Sequence, residues 1–187
     1  DFVEPDHLVE VWDGKSVSEP AYDAATQTYS ISKPSELAWI AKTVNAGVTR
    51  ATVNDNMRGK TIKLTSDIDL GGHEWLPIGY ITGPAKGDYE GYPIAFKGTF
   101  DGQGHNVKGL YVRENKYAGL FGCLCGATIK NVNIVGAELI SNHYAGAIAG
   151  HAYADITNCT VDGLTLTVTP NELTRAAYDN GDKVGGI

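Results

Sequence analysis

The sequence predicts a mainly β chain, a stack of short repeated strands covered at its N-terminal end by a cap with one α-helix. Three observations lead there. Between Tyr117 and Leu166 the chain repeats itself: Tyr117-Ala118-Gly119 recurs as Tyr144-Ala145-Gly146, Ile129 as Ile156, Asn131 as Asn158 and Leu139 as Leu166, each pair 27 residues apart. Glycine is abundant at 23 residues while charged residues make up only 20%, which favours tight turns over long surface helices. Apolar residues come in bursts (Leu120-Phe121; Ile129, Val132, Ile134; Leu139) with Gly or Asn between them, which predicts three short strands and three corners per copy. A unit this small cannot bury its own apolar face, so neighbouring copies must stack to make a core.

Residues 1–59 do not repeat and form the expected cap. Leu8 to Trp12 alternates as a strand does, Asp13-Gly14 signals a turn, and Tyr29-Ser30-Ile31 reads as a second strand. A helix is expected at about 33–46. Ser32 or Ser35 would cap it, Pro34 and Glu36 suit its first turn, and Gly47 would stop it. Leu37, Ile40, Ala41 and Val44 form one apolar stripe, predicted to cover the open edge of the stack.

The stack itself is expected over 60–187. Thr61–Leu64 and Asp67–Leu70 alternate polar and apolar, Gly71-Gly72 interrupts, and Phe96–Phe100 leads into the turn Asp101-Gly102-Gln103-Gly104. Val107, Leu110 and Val112 begin the first clear layer. Full copies follow at 117–143 and 144–170, and Lys183–Ile187 begins a further one after an insertion. Asn131 and Asn158 fall on the same corner of successive copies. Asn tolerates the left-handed backbone that corners need, and stacked Asn side chains can bond to one another in a ladder.

Composition excludes some functions. A net charge of -7 and the absence of a Lys/Arg stripe argue against a nucleic-acid partner. No apolar run reaches the length needed to span a bilayer. Three cysteines without metal-type spacing do not make a disulfide framework, and Cys159, standing where the other copy has Val132, reads as a small core residue.

Gly119-Leu120-Phe121-Gly122 followed by Ile129-x-Asn131 resembles the GLUG motif. The wider order is Ser35-Glu36-Leu37-Ala38-Trp39, Asp67–Leu70, Trp75-x-Pro77-Ile78-Gly79, then Phe100–Gly104. It resembles surface proteins of gut Bacteroidetes and the non-catalytic N-terminal region of bacterial immunoglobulin-A1-specific metallopeptidases. The resemblance implies a right-handed parallel β-helix on a secreted or surface-anchored protein, and no agreed activity. The second copy departs from the motif, reading Gly146-Ala147-Ile148-Ala149-Gly150.

The residues that carry chemistry are sparse. His73-Glu74 opens a zincin motif, but Pro77 stands where its second His belongs. Asp67 and Asp69 share a strand face, as glycosidic chemistry would want, yet turn capping is the simpler role for both. Calcium at Asp67, Asp69 or Asp101 is a weaker alternative. No catalytic residue, metal or cofactor is therefore assigned. The expected function is a non-enzymatic stalk or adhesin-like platform for a host protein or glycan. Trp12, Tyr80, Tyr89, Tyr92 and Tyr178 are the aromatics expected to meet that partner, on loops at 80–93 and 170–182. The alternatives are a polysaccharide-active enzyme and an accessory region of a larger metallopeptidase.

Overall fold

The computed structural model describes residues 9–46, 56–80, 94–114 and 116–169. It is mainly β with a single helix among the described residues. The strands before the clear repeats are β1 (Ala21–Asp23), β2 (Thr28–Ile31), β3 (Thr61–Leu64), β4 (Ile68–Asp69), β5 (Thr99–Asp101), β6 (Asn106–Lys108) and β7 (Tyr111–Glu114). The first full copy contributes β8 (Tyr117–Ala118), β9 (Phe121–Lys130) and β10 (Asn133–Ser141). The second contributes β11 (Tyr144–Ala145), β12 (Ala149–Thr157) and β13 (Thr160–Val168). Helix α1 spans Pro34–Asn45.

Equivalent strands of successive copies lie side by side. One sheet runs β1-β2-β3-β5-β9-β12 and a second β13-β10-β6-β4, with β7 also on β10; β11 and β8 form a third. Every pairing is parallel except β1 with β2. The repeat sets the register: Ile134 faces Val161 on one side and Val107 on the other, and Leu139 faces Leu166 and Val112. A one-residue slip would turn each of these side chains to the opposite face, so burial holds the register.

Alternation along the strands fills the space between the two large sheets. Ile62, Phe100 and Ile129 point in from the first, and Ile68, Val107 and Ile134 from the second. All six are fully buried in one apolar cluster that also holds Trp12, Leu37 and Ile148. Phe121 sits in its middle, with ring centroids 5.2 Å from Phe96 and 5.3 Å from Phe100. A fully buried side chain of this size contributes about 1.5–3 kcal/mol. The motif glycines let the layers approach. A Cβ on Gly119 would strike the carbonyl oxygen of Gly146 in the next copy, and one on Gly150 would lie 2.7 Å from Tyr117 backbone.

Two expectations are corrected. Each copy has one two-residue strand and two long ones, not three short strands, because Gly126, Gly136 and Gly163 take positive φ within the strands and bend them without ending them. Neither serine caps α1. The residue before the helix is Lys33, which has no acceptor, and the Glu36 carboxylate reaches back to the N–H groups of Ser32 (2.6 Å) and Lys33 (3.1 Å). Ser35 instead pairs its hydroxyl with that of Ser18 at 2.8 Å. The stripe Leu37, Ile40, Ala41 and Val44 is buried in the main cluster. Leu8, Gly47 and the insertion at 170–182 lie outside the described residues.

Candidate functional site

The polar corners are built before any cleft is. Asn131 and Asn158 have φ of 55° and 50°, the left-handed conformation that Asn tolerates. The Asn158 amide donates to Asn131 Oδ1 at 2.7 Å, and the Asn131 amide donates to Asp101 Oδ1 at 2.9 Å. The ladder therefore starts one layer earlier than the asparagines suggest, on a carboxylate. A parallel row lies beside it, where Thr160 Oγ1 donates to Asn133 Oδ1 and Asn133 donates to the Gly104 carbonyl, each at 2.8 Å.

The carboxylates are committed to the same task. Burial would raise the Asp101 carboxyl. Hydrogen bonds from the Asn131 and Gln103 side chains and the Gln103 N–H, with Lys130 at 3.3 Å, outweigh it and hold the group at about 2. Burial acts likewise on Asp67, and is outweighed by the Asn106 N–H and amide and by Lys108 at 3.1 Å, which bring it to about 2. Asp69 Oδ1 accepts the Gly71 N–H at 2.8 Å, an Asx turn. His73-Glu74 lies on a turn and an isolated bridge to Tyr111, and the Pro77 carbonyl accepts from Asn45 at 2.9 Å.

A second cluster lies outside the main core. Tyr117 and Tyr144 stack at 5.2 Å and 10°, His143 stacks on Tyr144 at 5.1 Å, and His151 meets both tyrosines edge-on. Cys123 Sγ is 3.8 Å from His151 Nδ1, the spacing of a loose Cys–His pair. The chemistry of the thiol points away from a nucleophile: burial pushes it up to about 12, with Cys125 adding to the shift, so it is protonated at neutral pH. Among the described residues no group of three His, Cys, Asp or Glu side chains converges as a metal site.

Among the described residues a groove of about 480 Å³ lies between α1 and the strap 12–17. The strap is pinned at both ends. Trp12 N–H donates to Asp69 O at 2.9 Å and Ser18 N–H to Ser35 O at 3.1 Å, while Asp13 accepts the N–H groups of Lys15 and Ser16 and folds the turn between. Below it α1 presents Ala38 and Ala41, whose single methyls leave the space open. Trp12 and Trp75 form the inner wall, edge to face at 5.5 Å, and Val17 and Leu76 form the lips, 42% and 49% exposed. Lys15 and Lys42 stand on the rim.

Trp12 thus borders a groove, though its ring is largely buried and its indole N–H goes to Ser16 O at 3.0 Å. Tyr80 is half-buried, its N–H bound to Asn45 Oδ1 at 2.8 Å. Tyr89, Tyr92 and Tyr178 lie outside the described residues. Sequence reasoning missed Lys15, Val17, Lys42 and Leu76. The available signal was the small Ala38 and Ala41 among the bulky Leu37, Ile40 and Val44 of one helix.

The fold is thus that of a mainly β protein of stacked repeats. A family model described as the GLUG motif matches residues 141–169, which span β11, β12 and β13. The matched copy is the second, the one with the longer Gly146–Gly150 spacing. No curated protein and no solved structure matches the chain. No helix among the described residues is long and apolar enough to cross a membrane.

Proposed function

We propose that this chain is a non-catalytic display module of a secreted or surface-anchored bacterial protein. Its repeats wind as a right-handed parallel β-helix, with residues 1–59 as the N-terminal cap, and present a host protein or glycan with contacts from the loops. The observation that carries this reading is the use of the polar corner groups. Asp101, Asn131 and Asn158 bond to one another across layers, and Asp67 bonds to Asn106 and Lys108. These groups stiffen a rod; a hydrolase needs its acids facing a substrate. The same observation weighs against the polysaccharide-active alternative, whose natural acids are Asp67 and Asp69. The likeness to the N-terminal region of immunoglobulin-A1 metallopeptidases fits an accessory role beside a catalytic domain, and belongs to this proposal.

The test is a binding screen of the purified chain against mucin-type glycans and host extracellular proteins, repeated with residues 81–93 or 170–182 deleted. Binding that disappears with a loop supports the reading. Binding that ignores both deletions removes the loops from it. Release of sugar from a uronate-rich polysaccharide would replace the reading with the enzymatic one.

A further inference from the structure

We propose that the groove between α1 and the strap 12–17 binds a free medium-chain aliphatic carboxylate, tail inward and carboxylate at the rim. This goes beyond the display reading and stands without it.

Volume and shape come first. About 480 Å³ falls within the range of small-molecule sites, roughly 300–1,000 Å³, and far exceeds the space a water needs. The groove is open to solvent and framed by fixed elements: Trp12 on Asp69, Ser18 on Ser35, and α1 on the core through Leu37, Ile40 and Val44. Asn45 locks the far end, its amide donating to Pro77 O at 2.9 Å and its Oδ1 accepting from Gly79 and Tyr80 at 2.8 Å.

The wall chemistry then selects the tail. Ala38, Ala41, Val17 and Leu76 offer only hydrocarbon. The indole and carboxamide groups of the wall are already in use: Trp12 Nε1 by Ser16 O, Trp75 Nε1 by Leu120 O, and the Asn45 amide by Pro77, Gly79 and Tyr80. A sugar would lose its hydration against these walls and find few replacement partners, at a cost in every unpaired hydroxyl. The indoles are nearly buried, so they offer no open face for an aromatic ring to stack on. A flexible alkyl chain asks only for apolar surface, and each methylene buried adds to its affinity.

The rim selects the head. Lys15 and Lys42 are exposed, and neither has an ion pair among the described residues. Lys108 and Lys130, by contrast, are paired with the corner carboxylates on other elements. On a chain of net charge -7, two unpaired cations at the mouth of an apolar groove complement a single anionic head.

The experiment titrates the intact chain with decanoate below its micellar range, read by tryptophan fluorescence and calorimetry, with decanol as the uncharged control. Saturable binding of both, decanoate the tighter and weakened by salt, is expected. The K15Q/K42Q variant should lose roughly tenfold for decanoate and leave decanol unchanged. Leu76→Ser and Ala41→Leu should weaken both, and the exposed Leu76 keeps the test valid if the Ala41 variant misfolds. Absence of saturable binding overturns the proposal, as does binding indifferent to Leu76→Ser. Equal decanoate affinity in the lysine variant overturns it too, and so does a preference for anionic phospholipid vesicles over free decanoate. None of these outcomes touches the macromolecular binding screen.

Discussion

Asn158 donates its side-chain amide to Asn131 Oδ1 across 2.7 Å, and the two residues are 27 positions apart. Repeat period and stacking distance are thus the same fact seen in sequence and in space. Neighbouring strands of a sheet lie about 4.8 Å apart, so only residues on the same corner of adjoining layers can bond this way.

Replacing Asn131 separates the two reasons for its presence. Asn131→Ala removes the bonds to Asp101 and Asn158 and forces Ala into positive φ, for a loss of about 2–4 kcal/mol. Asn131→Gly removes the bonds but relieves the backbone, and should lose about half as much. Urea unfolding of both variants checks this; equal losses would mean that positive φ costs Ala nothing there, and an unchanged Asn131→Gly variant would mean that the amide bonds contribute nothing.

Ile129 and Ile156 are the same residue at the same position of successive copies and face each other in register. Ile129 is fully buried, while Ile156 is only partly covered in the last described layer. Ile129→Ala should cost about 2–5 kcal/mol and Ile156→Ala about 1 kcal/mol. Comparable losses in denaturant unfolding would show that the Ile156 side is covered in solution.

Acid should loosen the corners. The carboxyls of Asp67 and Asp101 are held at about 2 against an ordinary 3.8. Between about pH 4 and pH 2 the unfolded chain therefore binds more protons than the folded one, so stability rises with pH across that window and is lost as pH falls through it. A melting series from pH 6 to pH 2 should show the drop, and D67N/D101N should flatten it while lowering the plateau above pH 4.

Cys123 should resist alkylation. Its thiol is buried and raised to about 12, so iodoacetamide at pH 8 should leave it unmodified in the folded chain and label it in urea, as read by peptide mass spectrometry. Fast labelling of the native protein at Cys123 would show a thiolate there and restore the Cys123–His151 pair as a catalytic candidate.

Legibility in the sequence followed the regularity of the spacing. Along β10 and its neighbours the offset is constant, and the sequence shows the layers directly; β12 keeps that offset on β9 only from Ala154 onward, after a register shift between Tyr153 and Ala154. Earlier layers pair just as faithfully: Thr28 with Thr61, Thr61 with Thr99, Thr99 with Thr128. Their spacings differ because the intervening loops differ in length, so no repeat search aligns them. Asp67 to Asn106 spans 39 residues and Asp101 to Asn131 spans 30. The ladder was legible where Asn repeats and hidden where it begins on an acid. The groove was hidden for another reason. It arises where the strap, a helix face and Trp75 come together from three distant segments, and each contributes residues that look ordinary alone.

β10 meets β6 and β7 on one side and β13 on the other at a single unvarying offset. For heredity this has a plain meaning. A recombination event that copies any window of that length inserts a complete floor, and both old neighbours find familiar surfaces. A window of another length must bulge outward or turn greasy side chains to the solvent, and selection discards it. Descendants of such a chain should therefore differ in size by whole multiples of one unit, with the remaining variation confined to the connecting loops.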